Sequence, residues 1–361
     1  MYNYRLGLAH EILARGHELI LLSPDGPYAK KLKDLSFTWK KIDLDRKGGN
    51  PIHEIRTLVE IFRLYSHEKP DLVHHFTVKC IIYGSLAAKF TGIPKIVNAV
   101  TGLGYIFLNN DFKTRIIRQV VKCFYQIALR NTQVIFQNED DLNTFIENKL
   151  VKQNQSTVIS GSGVDTTLLK PAKASSGIPV VLLVSRMLKD KGIHEFVNAA
   201  RMIKGEGIKA RFVLVGDVDE GNPASLSRNE LEAWQNEDVV EWWGWQDDVV
   251  GIYQQASVVC LPSYREGISK SLIEAAACGK PLVTTDVPGC RDVVLNNKNG
   301  FLVPPRDSTK LAEAISLLIG DERLRERMGK QSRQIAINHF SLDKIIHATL
   351  QLYKEEMVGG K

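Results

Sequence analysis

The sequence lacks any long apolar run. No stretch approaches the ~18 consecutive apolar residues that a membrane-spanning helix needs. The first residues, MYNYRLGLAHEILARGHEL, lack the apolar segment of a signal peptide. We therefore predict no membrane span and no secretory signal, so that any contact with a membrane is made from its surface.

Cysteine is scarce and irregularly spaced. The five cysteines are an odd number, and no two of them have CxxC spacing. This pattern argues against a disulfide framework or a zinc site and fits a reducing compartment. The cysteines are Cys80, Cys123, Cys260, Cys278 and Cys290.

Charge of one sign is also limited. The net charge of +6 is too small for a protein that coats nucleic acid, and 44% hydrophobic residues exclude intrinsic disorder. The basic excess lies in the first half, because residues 1–170 carry +7 and residues 171–361 carry −1. A basic half attracts an anionic partner such as acidic lipid, phosphate or nucleic acid, although a merely solvated face gives the same count.

Short apolar runs alternate with helical periodicity along the chain. This alternation predicts an α/β protein with parallel sheets covered on both faces. The predicted strands are 19–23, 72–75, 95–99, 133–137, 157–160, 179–185, 211–215, 239–243, 258–262 and 281–285. The predicted helices include 4–15, 51–68, 111–130, 192–205, 249–255, 270–279 and 309–318.

The segment 161–179, GSGVDTTLLKPAKASSGIP, has the composition of a linker, and the alternation starts afresh after it. We predict two doubly wound domains with the ligand site in the cleft between them. The predicted domains are 1–165 and 166–340, followed by a helix in 341–361 that packs back toward the first domain. No strand precedes the helical pattern at Tyr4, so either the first domain starts with a helix or the chain has lost its first strand.

Two motifs follow predicted strands in the second half. Arg186 and Lys191 follow strand 179–185, at the edge where a phosphate binds; arginine binds phosphate bidentately, and lysine acts as a point charge. After strand 258–262 come Glu266, Gly267, a helix start and Glu274. Free amides of a helical first turn bind anions, and carboxylates accept hydrogen bonds from sugar or ribose hydroxyls.

These motifs resemble the retaining, nucleotide-sugar-dependent glycosyltransferases of family 4, which have the GT-B architecture of two Rossmann-like domains facing a cleft. The branch of this family that the sequence resembles builds bacterial surface polysaccharides, including capsule and lipopolysaccharide, on polyprenyl diphosphate carriers. The matching stretches are VSRMLKDKG (184–192), VLVGDVDEGNP (213–223), WWGWQDDV (242–249), LPSYREGISKSLIEAAACGKPLVTTDVPGCRDVV (261–294), NGFLVPPRD (299–307) and, in the first half, HHFTVKCIIYGSLAAKFTGIPKIVNAVTGLGYIF (74–107).

The resemblance implies a role for each matching residue. Arg186 and Lys191 would bind the donor diphosphate, Glu266 the sugar hydroxyls and Glu274 the ribose. Further donor contacts implied are Gly216, Gly267, Ile268, Ser269, Lys270 and Ser271. Acceptor contacts implied are Arg5, His74, His75, Lys79, Thr101, Gly102, Gly104 and Tyr105. For both histidines, a packed strand-end imidazole is an equal alternative.

Fixed cations and a helix N-terminus can stabilise the charge that develops on a departing nucleoside diphosphate. We therefore expect no metal and no cofactor, because the UDP-sugar is itself a substrate. The aspartates 217, 219, 247 and 248 are interpreted as loop and cap residues. Ser269 stands where the family often has proline, and the segment around Thr101 lacks the family's frequent histidine.

The segment 111–130 combines an apolar stripe with five positive charges. This pattern is typical of a helix lying on anionic lipid, while a core helix with one solvated face has the same periodicity. The predicted location is the cytoplasm, at the inner face of the membrane.

The expected function is transfer of a hexose or N-acetylhexosamine from a UDP-sugar to a polyprenyl-diphosphate-linked saccharide. The alternatives are a nucleotide-sugar epimerase of the same fold or an inactive nucleotide-binding protein left by truncation. An oxidoreductase is disfavoured, because no G-x-G-x-x-G fingerprint follows an early strand.

Overall fold

The computed structural model describes residues 2–44, 50–102, 112–172 and 177–358. The chain divides into two compact units. The first unit contains Met1–Ser162 together with Asp343–Lys361, and the second contains Gly163–Leu342. The last helix is thus part of the first unit, although it follows the second along the chain.

The first unit alternates helices with short parallel strands. Its elements are α1 (Tyr2–Ala14), β1 (Ile20–Ser23), α2 (Pro27–Asp34), β2 (Thr38–Lys41), α3 (Pro51–Glu68), β3 (Leu72–Phe76), α4 (Val78–Thr91), β4 (Lys95–Val100), α5 (Phe112–Leu129), β5 (Gln133–Phe136), α6 (Glu139–Glu147), β6 (Ser156–Val158) and α13 (Leu342–Val358). The strands form two separate sheets, a β1-β2 pair and a four-stranded sheet of order β3-β4-β5-β6.

The second unit contains one six-stranded parallel sheet of order β12-β11-β10-β7-β8-β9. Its elements are β7 (Val180–Val184), α7 (Ile193–Gly205), β8 (Arg211–Val215), α8 (Arg228–Asn236), β9 (Glu241–Trp242), α9 (Val249–Gln255), β10 (Val258–Leu261), α10 (Lys270–Ala277), β11 (Leu282–Thr285), β12 (Gly300–Val303), α11 (Ser308–Gly320) and α12 (Glu322–Phe340).

The central strands of this sheet are buried on both faces. All residues of β10 and β11, and all of β7 except Val184, are buried. Valine and leucine dominate these strands, as expected for a parallel sheet that helices cover on both sides. Two of the strands, β2 and β12, have no counterpart in the predictions from the sequence.

All five cysteines are free. Three of them, Cys260, Cys278 and Cys290, are buried among apolar side chains of the second unit. Within the described residues, no helix combines the length and the apolar character that crossing a membrane requires.

Candidate active site

The second unit has a topological switch point between β7 and β10. From β7 the chain continues to β8 on one side, whereas β10 pairs with β7 on its other side. The loops that follow β7 and β10 therefore leave in opposite directions and open a crevice at the carboxyl edge, where α/β sheets bind their ligands. Both predicted donor motifs lie in these two loops.

A salt bridge joins the two loops. The Nζ of Lys191, after β7, lies 2.5 Å from Oε1 of Glu266, after β10. Their side chains are only 17% and 13% exposed, so solvent screens this pair less than a surface pair. The residues expected to bind phosphate and sugar are thus brought together across 75 positions of sequence.

Backbone hydrogen bonds fix the loop that carries Glu266. The amide of Glu266 donates to the Pro288 carbonyl at 3.1 Å, and the amide of Ser269 donates to the Gly289 carbonyl at 3.2 Å. Gly289 has a φ of 76°. A Cβ there would lie 2.5 Å from the Glu266 carbonyl oxygen, so the close approach of the two loops requires glycine.

We expect Gly289→Ala to displace Glu266 and to lower kcat/KM by about tenfold, since small errors in positioning are costly for catalysis. The matched control is Gly205→Ala, because a Cβ at Gly205 meets no atom within 4 Å. Steady-state kinetics combined with circular dichroism separates a displaced loop from an unfolded domain. Equal kinetics for the two variants would contradict this role of Gly289.

The first turn of α10 faces the same edge of the sheet. Ser269 is its N-cap, and its hydroxyl accepts a hydrogen bond from the Leu272 amide at 3.3 Å. The Ser271 hydroxyl lies 3.3 Å from that of Ser269. Because the other amides of a first turn have no partner within the helix, this turn can hold an anion. Gly267 precedes it, and Ile268 packs partly against the core.

Glu274 lies one helical turn beyond Lys270. The Lys270 Nζ is 3.3 Å from Oε1 of Glu274, and the Tyr253 hydroxyl donates to Oε2 at 3.2 Å. Burial raises the pKa of the Glu274 carboxyl, and these two donors oppose that shift. Tyr253, on α9, was not among the residues predicted for the site.

Arg186 and Gly216 lie at the ends of β7 and β8. Arg186 is exposed, and its Nη1 lies 2.7 Å from Oδ2 of Asp219, one of the aspartates interpreted above as loop and cap residues. Gly216 has a φ of 131°, and a Cβ there would lie 1.8 Å from the Ser185 carbonyl oxygen. The two strand ends can therefore meet only if residue 216 is glycine.

Most of the other aspartates at this edge have structural partners. Asp217 pairs with Arg228 at 2.9 Å, and Asp248 is the N-cap of α9, as expected. The indole nitrogen of Trp245 donates to Asp247 at 3.1 Å. In the described ranges, no three histidine, cysteine, aspartate or glutamate side chains are grouped so that they could hold a metal ion.

In the first unit, Arg5 and His74 lie near Phe76. The Arg5 guanidinium lies 4.4 Å from the centre of the Phe76 ring, and the His74 ring lies 4.1 Å from it. His74 Nδ1 is 2.5 Å from the hydroxyl of Tyr353, on α13. Burial lowers the pKa of His74 well below its usual value, and the nearby positive charge of Arg5 adds to this.

His75 is a packed residue of β3. It is 5% exposed, and its two ring nitrogens lie 2.9 Å from the Tyr65 hydroxyl and 2.9 Å from Asn98 Oδ1. Burial lowers its pKa to about 4, so the ring is neutral near pH 7. With both nitrogens engaged, His75 has the environment of a packed strand-end imidazole, the alternative interpretation, and its acceptor contact stays a prediction.

The other predicted acceptor residues that the structure describes lie in α4 and directly after β4. Lys79 lies in the first turn of α4, and its ammonium is 2.5 Å from a Glu54 oxygen. Thr101 and Gly102 follow β4 and are half-buried. Gly104 and Tyr105 lie outside the described residues.

Comparison with known proteins identifies the family. Residues 2–138 match the family Glycosyl transferase 4-like, and residues 165–335 match Glycosyl transferases group 1. The N,N'-diacetylbacillosaminyl-diphospho-undecaprenol alpha-1,3-N-acetylgalactosaminyltransferase of Campylobacter jejuni is 31% identical over 94% of this chain and 92% of its own length. The chain therefore belongs to the glycosyltransferase family that includes this relative.

Two further relatives have related names. The capsular polysaccharide biosynthesis glycosyltransferase CapM of Staphylococcus aureus is 31% identical over 80% of this chain and 77% of its own length. The UDP-Gal:alpha-D-GlcNAc-diphosphoundecaprenol alpha-1,3-galactosyltransferase of Escherichia coli is 26% identical, and the match covers 85% of this chain and 81% of the relative. The epimerase alternative finds no support among these relatives.

Solved structures confirm the GT-B fold. HepE of Anabaena in complex with UDP superposes with a TM-score of 0.80 at 19% identity, covering 97% of this chain and 96% of that one. Sucrose-phosphate synthase of Thermosynechococcus elongatus superposes with a TM-score of 0.81 at 21% identity, covering 98% and 92%.

Proposed function

We propose that this protein transfers a hexose or N-acetylhexosamine from a UDP-sugar to a polyprenyl-diphosphate-linked saccharide, with retention of anomeric configuration. The observation that carries the proposal is the Lys191–Glu266 pair at the switch point, beside the first turn of α10. The names of the Campylobacter and Escherichia relatives, which specify undecaprenyl-diphosphate acceptors, support this acceptor class.

In this proposal, the donor diphosphate replaces Glu266 as the partner of Lys191. The ammonium then neutralises the charge that develops as the nucleoside diphosphate departs, together with the α10 amides and Arg186. Glu266, once released, accepts hydrogen bonds from hydroxyls of the donor sugar. The cations and amides supply this stabilisation themselves, so the proposal includes no metal and no cofactor.

Retention is supported by the name of the Escherichia relative. It is an alpha-1,3-galactosyltransferase that uses UDP-Gal by name. Since the sugar of UDP-galactose is itself α-linked, an α product means that the configuration is kept. The anomeric coupling constant of the product, measured by NMR, tests this point directly, and a β product would overturn it.

In the first unit, Arg5, His74, Lys79, Thr101 and Gly102 are the proposed acceptor contacts. A membrane-embedded acceptor also calls for a membrane-facing surface. Five apolar residues of α5 are 45–56% exposed, whereas Tyr125, Ala128 and Leu129 form its buried side. We name this exposed set the α5 stripe; it comprises Ile116, Ile117, Val120, Phe124 and Ile127.

The α5 stripe lies outside the core, which supports its interpretation as a lipid-facing surface. Four positive side chains accompany it on or beside the same helix: Arg115, Arg118, Lys122 and Arg130. An exposed apolar stripe with basic neighbours suits an anionic lipid surface. We therefore propose a peripheral location on the inner face of the cytoplasmic membrane.

Thermal shift with UDP-, GDP- and ADP-sugars tests the donor. A ligand present at 100 times its dissociation constant stabilises the folded state by about 2.7 kcal/mol, so the preferred nucleotide raises the melting temperature measurably. We expect a shift with UDP-sugars that the other two nucleotides do not produce. Transfer of a radiolabelled sugar to a lipid-linked acceptor completes the test, and failure of both assays with UDP-sugars would refute the proposal.

A further inference from the structure

Tyr253 is a buried residue of α9 whose hydroxyl reaches the site. It is 0% exposed, and its hydroxyl donates to Oε2 of Glu274 at 3.2 Å. The ring is enclosed by the core of the second unit, so the hydroxyl projects from a rigid support. Tyr253 is therefore placed to act on the site through Glu274.

The two oxygens of Glu274 are held by different elements. Oε1 is bound by Lys270, from the preceding turn of α10, and Oε2 by Tyr253, from α9. An ionised carboxylate offers about four acceptor positions in all. Two of them are used by these donors, which leaves one on each oxygen for a vicinal diol.

We propose that Tyr253 is a positioning residue that fixes the Glu274 carboxylate so that it accepts both ribose hydroxyls of the donor. This inference rests on the proposed function and on the ribose contact that the family resemblance implies for Glu274. Without the tyrosine hydroxyl, Glu274 keeps Lys270 but can rotate about its last side-chain bonds. The two remaining acceptor positions then no longer match the diol.

The test is the binding of UDP and of 2'-deoxy-UDP to the wild type and to Tyr253→Phe, measured by calorimetry. We expect the wild type to bind UDP about tenfold more tightly than 2'-deoxy-UDP, because one hydrogen bond to a charged group is lost. In Tyr253→Phe, the affinity for UDP falls about tenfold and the preference for the ribose nearly disappears. The matched control is Tyr125→Phe, a buried tyrosine of the first unit.

A second readout is the pH dependence of UDP binding. Glu274 faces Lys270, Tyr253 and Cys278, and burial already raises the pKa of its carboxyl. Binding requires the ionised carboxylate, so affinity is lost as the pH falls through this pKa. Removal of the Tyr253 donor raises the pKa further, and the loss begins at a higher pH in Tyr253→Phe than in wild type.

Three outcomes overturn the inference in different ways. If Tyr253→Phe keeps the wild-type ratio of UDP to 2'-deoxy-UDP affinity, Tyr253 is structural, and the proposed function stands without it. If the wild type binds no uridine nucleotide, the proposed function and this inference fail together. An equal loss in Tyr125→Phe would assign the effect to general destabilisation and would also overturn the positioning role.

Discussion

Lys191→Ala is expected to lower the kcat of sugar transfer by about 10²–10³, the loss typical when one electrostatic stabiliser of a developing anion is removed. The lysine lies at the switch point, and its partner is Glu266. In the proposed reaction the ammonium of Lys191 pairs with the departing diphosphate instead. Its stabilising effect is then largest in the transition state. The measurement is steady-state transfer from the UDP-sugar that thermal shift identifies.

The same substitution leaves the largely buried Glu266 without its partner, which costs about 1–3 kcal/mol of folding stability. A double variant, Lys191→Met with Glu266→Gln, removes both charges and separates the two effects. We expect it to regain stability in urea unfolding while remaining inactive. Lys189→Ala is the matched control, because Lys189 is exposed and lies two positions away. An active Lys191→Ala variant would contradict the role of the ammonium.

The charged side chains of the site are paired with one another. Arg186 is paired with Asp219, Lys191 with Glu266 and Lys270 with Glu274. An incoming diphosphate can therefore bind by taking the place of Asp219 beside Arg186 and of Glu266 beside Lys191, while Lys270 stays with Glu274, so no bare cation has to be kept in a crevice. This exchange favours an anion that meets several cations at once, which a nucleoside diphosphate does.

Much of the fold could be predicted from the sequence, because hydrophobic periodicity is a local signal. The bounds of α3 and β8 agree with the predicted helix 51–68 and strand 211–215. The strand β2 was missed because its sequence, TWKK, is polar and lies at a sheet edge. The strand β12 begins with glycine, which does not favour strands, and its central residues are only partly buried.

The donor motifs could be predicted because strand ends, glycines and helix caps are consecutive in the chain. What could not be predicted was which distant residues they contact. Tyr253 looks like an ordinary core residue of a short helix, and Gly289 gains its importance from a carbonyl 23 positions earlier. His75 also depends on distant residues. Its two ring nitrogens are held by Tyr65 and Asn98, which lie 10 and 23 positions away in the sequence.

Loss of membrane binding is expected when the α5 stripe is made polar. Replacing Ile117, Val120 and Phe124 by serine should weaken binding to vesicles that contain phosphatidylglycerol by about a hundredfold, since each inserted apolar side chain contributes on the order of 1 kcal/mol or more. Co-sedimentation over a range of lipid concentrations measures this change. Binding of the wild type should also weaken with salt, because the basic residues beside the stripe contribute about 1 kcal/mol each near an anionic surface.

Cys123 offers an independent probe of the same surface. It is exposed on α5, whereas Cys80 is half-buried and the other three cysteines are buried. An environment-sensitive fluorophore on Cys123, in a Cys80→Ser background, should shift to the blue when anionic vesicles are added.

A matched control for the serine variant of α5 replaces three exposed leucines of the second unit, Leu168, Leu295 and Leu317, by serine. If this control weakens binding as much as the α5 variant, or if the probe stays in water, α5 is not the membrane-facing element, and the exposed stripe would need another partner.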